Sequence, residues 1–238
     1  MKLLRHGPAG LERPGLLDLQ GRVRDLSAHV HDLGGTALLP SSLRRLGAID
    51  HARLPVVEAG VRLGPCVDRA GKVVVVEGNA LHLLAPTALS GARDDVVLPE
   101  GMAVRCALRL GVVIGQPGRR LAVRQALAHV AGYCVLGEIR PEQASRQHGD
   151  TFAPLGPWLV VEPAVEADRD AVARAVAFAS ECMTLLPGDV LSLPPPRAHA
   201  AHPLAIGESR RIGIEGLGEQ HFRAVALRLE NRSEEQQT

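Results

Sequence analysis

The sequence predicts a mainly β chain with some helices, of the α+β class. The first observation is residues 102–115, whose middle part alternates: apolar side chains point to one side, and Arg105, Ala107 and Arg109 point to the other. The second is a series of short runs typical of strands, of which the run 72–76 is rich in β-branched residues. The third is that helical spacing is confined to a few segments. The β-rich runs are 72–76, 96–98, 190–193, 211–214 and 221–229.

Composition sets the size of the protein and the kind of core it builds. The 238 residues suit one large domain or a domain with a small appendage. Hydrophobic residues make up 46% and aromatic residues only 2%, so the core must consist of Ala, Val and Leu. A formal net charge of +1 argues against nucleic acid or a membrane surface as the main partner.

Cysteine usage and the termini indicate a cytoplasmic protein. Cys66, Cys106, Cys134 and Cys182 form no C-x-x-C pair and lie in apolar surroundings, which predicts four buried free thiols in a reducing compartment. The first residues lead into Gly and Pro instead of an apolar run, so no signal peptide is expected. No apolar run reaches the ~20 residues of a membrane span.

The N-terminal part contains hairpin and helix signals. Residues 16–23 indicate a hairpin with a polar turn, and residues 25–33 a short helix. Ser41 and Ser42 are expected to cap another short helix that runs through Leu46. Residues 60–65 form the passage into the main domain.

In the main domain the strand at 72–76 is followed by the strands at 96–98 and 103–114. Residues 121–130 have helical spacing that ends at Gly132, and residues 133–136 return as a strand. Asp168 or Asp170 begins the longest helix.

Six motifs in a fixed order give the chain a family context, and the opening segment 1–27 adds to it. Together they resemble the fumarylacetoacetate hydrolase superfamily, including its acylpyruvate hydrolases, oxaloacetate decarboxylases and hydroxyheptadienedioate isomerases. The motifs are VVLP (96–99), LRLGVVIG (108–115), HVAGYCV (129–135), DTFAPLGPWLV (150–160), MTLLPGDVLS (183–192) and IGIEGLGEQ (212–220).

The resemblance covers nearly the whole chain and implies a mixed β-roll with a small N-terminal subdomain. It places the subdomain at 1–65, the main domain at 66–230 and a polar tail at 231–238. Family members usually dimerise through the main domain, so a homodimer is expected, or a heteromer with an intact paralogue.

The same resemblance implies a magnesium or manganese ion held by an E-x-E pair on the central strand and by an Asp after the next strand. Residues i and i+2 of a strand share a face, so two carboxylates converge on one hard cation. In this sequence Ala107 and Arg109 occupy the E-x-E positions, and Glu138 occupies the Asp position. We therefore expect no metal cofactor.

Other expected parts of the site also differ. The family's lysine before DTF is replaced by Gln147, although Asp150 and Thr151 remain. A helical N-Y-x-x-H motif with a general-base histidine corresponds to residues 79–83, where His82 lies one position from the expected place. The substrate-binding T-G-T-P-P-G loop corresponds to residues 192–196 and has three prolines, which remove backbone donors. Three segments that build the pocket are shorter than in the enzymes: 82–87, 142–150 and the stretch after Pro163.

The remaining polar residues allow several interpretations. Arg109 is expected to pair with Glu138 and fill the vacated cation position. A sharper alternative is an anion pocket of Arg105, Arg109 and Arg140 for a small carboxylate or phosphate. The acid–base candidates are His82, His148 and Asp150, with Thr151 beside them. The histidines at positions 29, 31, 199 and 202 are expected to be solvent-exposed.

Three functional hypotheses follow. The first is a catalytically degenerate, metal-free homologue, a pseudoenzyme that acts as a non-hydrolytic subunit or small-anion-binding protein. The second is a repurposed enzyme that acts without metal on a small 2-oxo acid or enol. The third is an active hydrolase, decarboxylase or isomerase whose metal ligands come from Glu138, Glu142 and Asp150.

Overall fold

A computed structural model describes residues 1–143, 149–161 and 168–227 of the chain. The fold is mostly β with a few helices, as predicted. The strands of these ranges are β1 (Lys2–His6), β2 (Arg13–Leu17), β3 (Val23–Asp25), β4 (Val73–Glu77), β5 (Ala80–Leu84), β6 (Leu89–Ser90), β7 (Val96–Leu98), β8 (Val104–Ile114), β9 (Val130–Pro141), β10 (Ala153–Pro154), β11 (Leu159–Val160), β12 (Val190–Leu193), β13 (His202–Leu204), β14 (Ser209–Ile214) and β15 (Gly218–Ala226).

The described strands form one large sheet and two small ones. The large sheet has ten strands in the order β3-β2-β1-β11-β9-β8-β12-β4-β5, and β13 also pairs with β8. At its centre β8 and β9 pair antiparallel from Val104↔Pro141 to Ile114↔Val130. Strands β14, β15 and β7 form a three-stranded sheet, and β10 pairs with β6.

The central sheet separates two hydrophobic cores, because successive side chains of a strand point to opposite faces. On one face, Leu110 and Val112 of β8 belong to a cluster with Phe222 of β15 and residues of the long helix. On the other face, Val113 of β8 and Leu136 of β9 pack with leucines of the N-terminal strands. The side chains that alternate along residues 102–115 therefore contribute to two different hydrophobic cores, one on each face of the sheet.

The described helices are α1 (Pro40–Gly47), α2 (Val123–Ala126) and α3 (Arg169–Cys182). The Asp168 side chain accepts a hydrogen bond from Ala171 N (3.0 Å) and caps α3, as one of the two predicted starts requires. The 121–130 prediction is too long, because α2 has one turn and continues as a 3-10 turn at Leu127–His129.

Two expectations for the N-terminal part are wrong. Residues 26–33 contain turns and bends instead of a helix. Helix α1 exists, but it begins at Pro40 after Leu39 without a side-chain cap, so Ser41 and Ser42 lie inside it. Proline suits the first turn because the amide it lacks is unpaired there in any helix.

Residues 79–83 also differ from the helix that the family motif implies. Glu77 of β4 pairs with Ala80 of β5, so only Gly78 and Asn79 form the turn of a tight hairpin. Gly78 has a φ of +56°, and glycine is favoured at the first turn position of such hairpins. His82 is therefore a strand residue.

The N-terminal strands join the main sheet through the pairing of β1 with β11. The hairpin expected at 16–23 is confirmed as β2 and β3. The predicted boundary near residue 65 remains a prediction, and the predicted polar tail 231–238 lies outside the described residues.

All four cysteines are free, and Cys66, Cys106 and Cys134 are buried as expected. Cys182 is exposed, which corrects the expectation of four buried thiols; it is the last residue of α3 and lies on the outer side of that helix. No helix within 1–143, 149–161 and 168–227 has the length and apolar character needed to cross a bilayer.

Candidate functional site

One end of a face of the central sheet carries most of the polar residues that the sequence singled out. Cross-strand partners share a face, and the register pairs Ala107 with Glu138 and Arg105 with Arg140. Ser192 of β12 lies opposite Val75 of β4, and Val75 lies opposite His82 of β5. The same face therefore presents side chains from five neighbouring strands.

Arg109 and Glu138 form the pair that the sequence predicted. Arg109 Nε lies 3.2 Å from Glu138 Oε2, and both side chains are buried, with exposed fractions of 8% and 2%. The Nε hydrogen is donated to Ser192 Oγ at 3.1 Å. Glu138 Oε2 therefore receives Coulomb attraction from Arg109 but no hydrogen bond from any described atom.

The remaining donors of Arg109 connect neighbouring strands. Arg109 Nη2 donates to the carbonyl oxygens of Val76 and Ser192, both at 3.1 Å. Arg109 Nη1 lies 3.6 Å from Glu77 Oε1. Burial lowers the pKa of the Arg109 guanidinium, and the charge of Glu138 opposes that effect.

Arg140 completes an arrangement of alternating charges. Its Nε donates to Glu138 Oε1 at 2.6 Å, and its Nη2 donates to Glu77 Oε1. Burial disfavours the charge of Arg140, but the hydrogen bonds to Glu138 and Glu77 outweigh this and raise its pKa. The hydrogen bond from Arg140 likewise holds the pKa of Glu77 below its usual value. We call Glu77, Arg109, Glu138 and Arg140 the arginine–glutamate cluster.

The residues at the expected ligand positions do not fit a divalent cation. Ala107 offers no donor atom, Arg109 contributes a positive charge, and only Glu138 is a carboxylate. Within the described ranges no three His, Cys, Asp or Glu residues form a group that could hold a metal ion. Glu142 and Asp150 are described and exposed, so they do not join the buried Glu138 in the alternative site considered above.

Arg105 points away from the cluster. Its Nη2 donates to Ala201 O at 2.6 Å, and its Nη1 lies 3.5 Å from Glu142 Oε1 near the surface. Arg109 and Arg140 direct their charges at Glu77 and Glu138. Arg105 therefore binds elsewhere than Arg109 and Arg140, and the three arginines do not form the anion pocket that the sequence suggested.

The acid–base candidates are scattered. His82 is exposed on the edge strand β5 near Glu77, on whose carboxyl its charge acts. Asp150 is exposed. Thr151 has a φ of +67°, and its Oγ1 accepts a hydrogen bond from Val97 N at 2.8 Å, so it supports β7. Gln147 and His148 lie outside the described residues.

The four histidines that the sequence predicts to be solvent-exposed, at positions 29, 31, 199 and 202, are exposed. The rings of His199 and His202 meet edge to face with centroids 5.7 Å apart.

Sequence reasoning missed Glu77. The predicted strand at 72–76 stops one residue short of it, and extending the period-2 pattern places Glu77 on the same face as Val73 and Val75. One signal in the sequence could have identified Glu77. It is a carboxylate at the end of an apolar strand, and a neighbouring strand carries an arginine on its face. Ser192 was recognised only as part of a loop, and its hydroxyl contact with Arg109 requires the β12–β8 register.

Comparisons with known proteins agree with this architecture. The profile of the family described as "Fumarylacetoacetate (FAA) hydrolase C-terminal" matches residues 69–173. A protein of Burkholderia ambifaria named "Putative hydrolase" is 38% identical, with 92% of this chain and 97% of that protein aligned. The alignment spans 274 positions, more than the 238 residues of this chain, so the relative carries segments that this chain lacks.

Solved structures of other proteins share this fold. Maleylpyruvate hydrolase from Sphingobium sp. SYK-6, in complex with manganese(II) and pyruvate, is 27% identical with a TM-score of 0.77 over 95% of this chain and 99% of that one. A 5-carboxymethyl-2-hydroxymuconate delta-isomerase from Mycobacterium smegmatis shares the fold, with 20% identity and a TM-score of 0.72 over 95% of this chain and 100% of that one.

Proposed function

This chain belongs to the fumarylacetoacetate hydrolase family, and from that premise we propose that it is a metal-free, non-hydrolytic member. The observation that carries the proposal is the position of the Arg109 guanidinium, beside Glu138 and on the face where the family's cation would bind.

The electrostatics of the cluster support this proposal. A magnesium or manganese ion needs several anionic oxygens to replace its water ligands. Here the two carboxylates, Glu77 and Glu138, are already neutralised by Arg109 and Arg140. A divalent ion would have to displace a guanidinium that also holds Ser192 and Val76, so the resident cation is favoured.

The complete scaffold supports a role for the fold itself. The pairing of β8 with β9 and the two cores flanking it are complete in the described residues. A longer relative aligns with gaps in this chain. We therefore infer a non-hydrolytic subunit, assembling with itself or with an intact paralogue, in which a fold persists without its grafted chemistry.

The alternative function is an active enzyme on a small 2-oxo acid or enol, by C–C bond hydrolysis, decarboxylation or isomerisation. The similarity to a maleylpyruvate hydrolase that binds pyruvate favours this substrate class. In that case the Arg109 guanidinium would stabilise the developing negative charge that a metal stabilises elsewhere in the family.

The first test is calorimetric titration of chelator-treated protein with manganese and magnesium. We expect no binding by the natural chain and binding by the A107E/R109E variant, in which two added carboxylates converge with that of Glu138. The variant A103E/R105E changes the charge by the same amount four residues earlier, at the start of β8, and serves as the matched control. Micromolar binding at one site per chain in the natural protein would overturn the proposal.

The second test separates the two functions. The purified chain is incubated with maleylpyruvate and with oxaloacetate, with and without manganese, and loss of the substrate's absorbance is followed. We expect no turnover above the uncatalysed rate. Turnover that disappears in R109L would establish the enzymatic alternative, with Arg109 in place of the metal.

A further inference from the structure

We propose that a second pocket, remote from the arginine–glutamate cluster in the fold, binds a small organic anion with an apolar body. The pocket has a volume of about 650 Å³ and lies where α1 and the first residue of α3 meet the start of β9. This size is within the range of small-molecule sites in proteins. The inference is independent of the metal-free function proposed above.

The charged side chains that are described in the pocket lining are positive. Arg44 of α1 and Arg169 of α3 line the pocket, and none of the lining residues that the structure describes is acidic. Within the described part of the chain neither arginine forms an ion pair. The adjacent Asp168 caps α3 through Ala171 N and lies 4.0 Å from Arg174. Two guanidinium groups are thus available to a carboxylate or phosphate.

Tyr133 supplies a neutral hydrogen-bonding group inside the pocket. The residue is only 5% exposed, and its hydroxyl forms no hydrogen bond to the residues that the structure describes. Burial raises the pKa of the Tyr133 phenol, and the nearby charge of Arg169 opposes that rise. The phenol oxygen lies in the pocket lining, where it can donate its hydrogen to an oxygen of a bound ligand.

The floor of the pocket is apolar. Leu43, Leu127, Val130 and Val161 contribute to the lining. A bare inorganic anion would leave this surface in contact with water, whereas an organic acid would cover it. The combination of paired arginines, a phenol and an apolar floor selects an amphipathic carboxylate.

The test is calorimetric titration with hexanoate at neutral pH. Hexanol carries the same apolar body without the charge, and inorganic phosphate carries charge without the body. We expect hexanoate to bind one site per chain, and the other two compounds to bind at least tenfold more weakly. R44Q and R169Q should each weaken hexanoate binding by about tenfold, the loss of one charge-assisted contact. Y133F should weaken it about threefold.

The matched control is R45Q. Arg45 is the next residue of α1, and it does not line this pocket. Hexanoate binding should be unchanged in R45Q. The proposal is overturned if hexanoate does not bind, if phosphate binds as well as hexanoate, or if R45Q weakens binding as much as R44Q and R169Q.

An intrinsic reporter gives a second readout, because Tyr133 is the chain's single tyrosine. A carboxylate bound beside the phenol disfavours the phenolate, so hexanoate should raise the midpoint of the tyrosinate absorbance titration. By linkage, hexanoate affinity should fall as Tyr133 ionises. A midpoint that hexanoate leaves unchanged, at concentrations that saturate the calorimetric site, would place that site elsewhere and overturn the assignment.

Discussion

Arg109 Nε lies 3.2 Å from Glu138 Oε2, but it donates its hydrogen to Ser192 Oγ. The guanidinium therefore acts on Glu138 as a charge and on Ser192 as a hydrogen-bond donor. This division resembles what a cation would do at this place, attracting a carboxylate of β9 while it is held by polar atoms of β12. Because the pair is buried, its disruption should have consequences for stability beyond those of an exposed ion pair.

The first prediction concerns R109L. Loss of the guanidinium leaves the Glu138 carboxylate, 2% exposed, with Arg140 as its remaining cationic partner among the described residues. Breaking one side of a buried pair costs about 3–5 kcal/mol, and we expect a destabilisation of this order in urea unfolding. R105L is the matched control. Arg105 is on the same face of β8 but half-exposed, so R105L should cost less than about 1 kcal/mol.

A second variant shows whether the cost of R109L is electrostatic. If it comes from the unpaired carboxylate, the double variant R109L/E138L should lose less stability than the two single variants together. Additive losses would indicate that Arg109 contributes through Ser192 and Val76 alone.

The second prediction concerns His6, which is 5% exposed. Burial lowers the pKa of His6 from 6.5. The charge of Asp25 opposes this effect, and the charge of Arg13 adds to it. The unfolded chain then binds more protons as the pH falls below 6.5, so this contribution to stability is complete above that pH and is lost below it.

Urea unfolding of the natural chain and of H6Q, between about pH 7.5 and about pH 5, measures this contribution. We expect stability of the natural chain to fall over this interval and H6Q to have a shallower slope. Equal slopes would show that the proton uptake belongs to other groups.

The strongest sequence predictions were those with a local cause. The faces of β8 follow from alternation, the start of α3 follows from Asp168, and the turn between β2 and β3 follows from its polar residues. The pairing of Arg109 with Glu138 was also predictable, because both positions come from ordered motifs on adjacent strands.

The errors arose where tertiary pairing overrides local preference. Residues 26–33 contain apolar residues at helical spacing, but Asp32 instead accepts hydrogen bonds from the guanidinium of Arg5, on β1. Residues 79–83 were compared with a helical motif, yet β4 offers a free edge and Gly78 permits a tight turn, so β5 forms. Glu77 was not predicted because its partners, Arg109 of β8 and Arg140 of β9, lie far along the chain from it.

The third prediction concerns Thr151, which the sequence places among the catalytic candidates. Its Oγ1 accepts the Val97 N–H at 2.8 Å, and its backbone has a φ of +67°, which β-branched residues rarely adopt. T151V keeps the shape but removes the acceptor, and should cost about 1–3 kcal/mol in urea unfolding. T151S keeps the hydroxyl and should be nearly neutral. Equal stability of T151V and the natural chain would contradict a structural role for the hydroxyl.

The fourth prediction concerns thiol reactivity. Only a thiolate that solvent can reach reacts quickly with an aromatic disulfide reagent. Burial raises the pKa of the Cys106 thiol to about 11, and Cys66 and Cys134 are also buried, whereas Cys182 is exposed. We expect one thiol per native chain to react quickly, all four to react after unfolding, and none to react quickly in native C182S. Fast modification of a second thiol in the native protein would mean that one of the three buried sites opens readily. If saturating hexanoate slowed that second modification, the opening would be linked to the pocket at the start of β9.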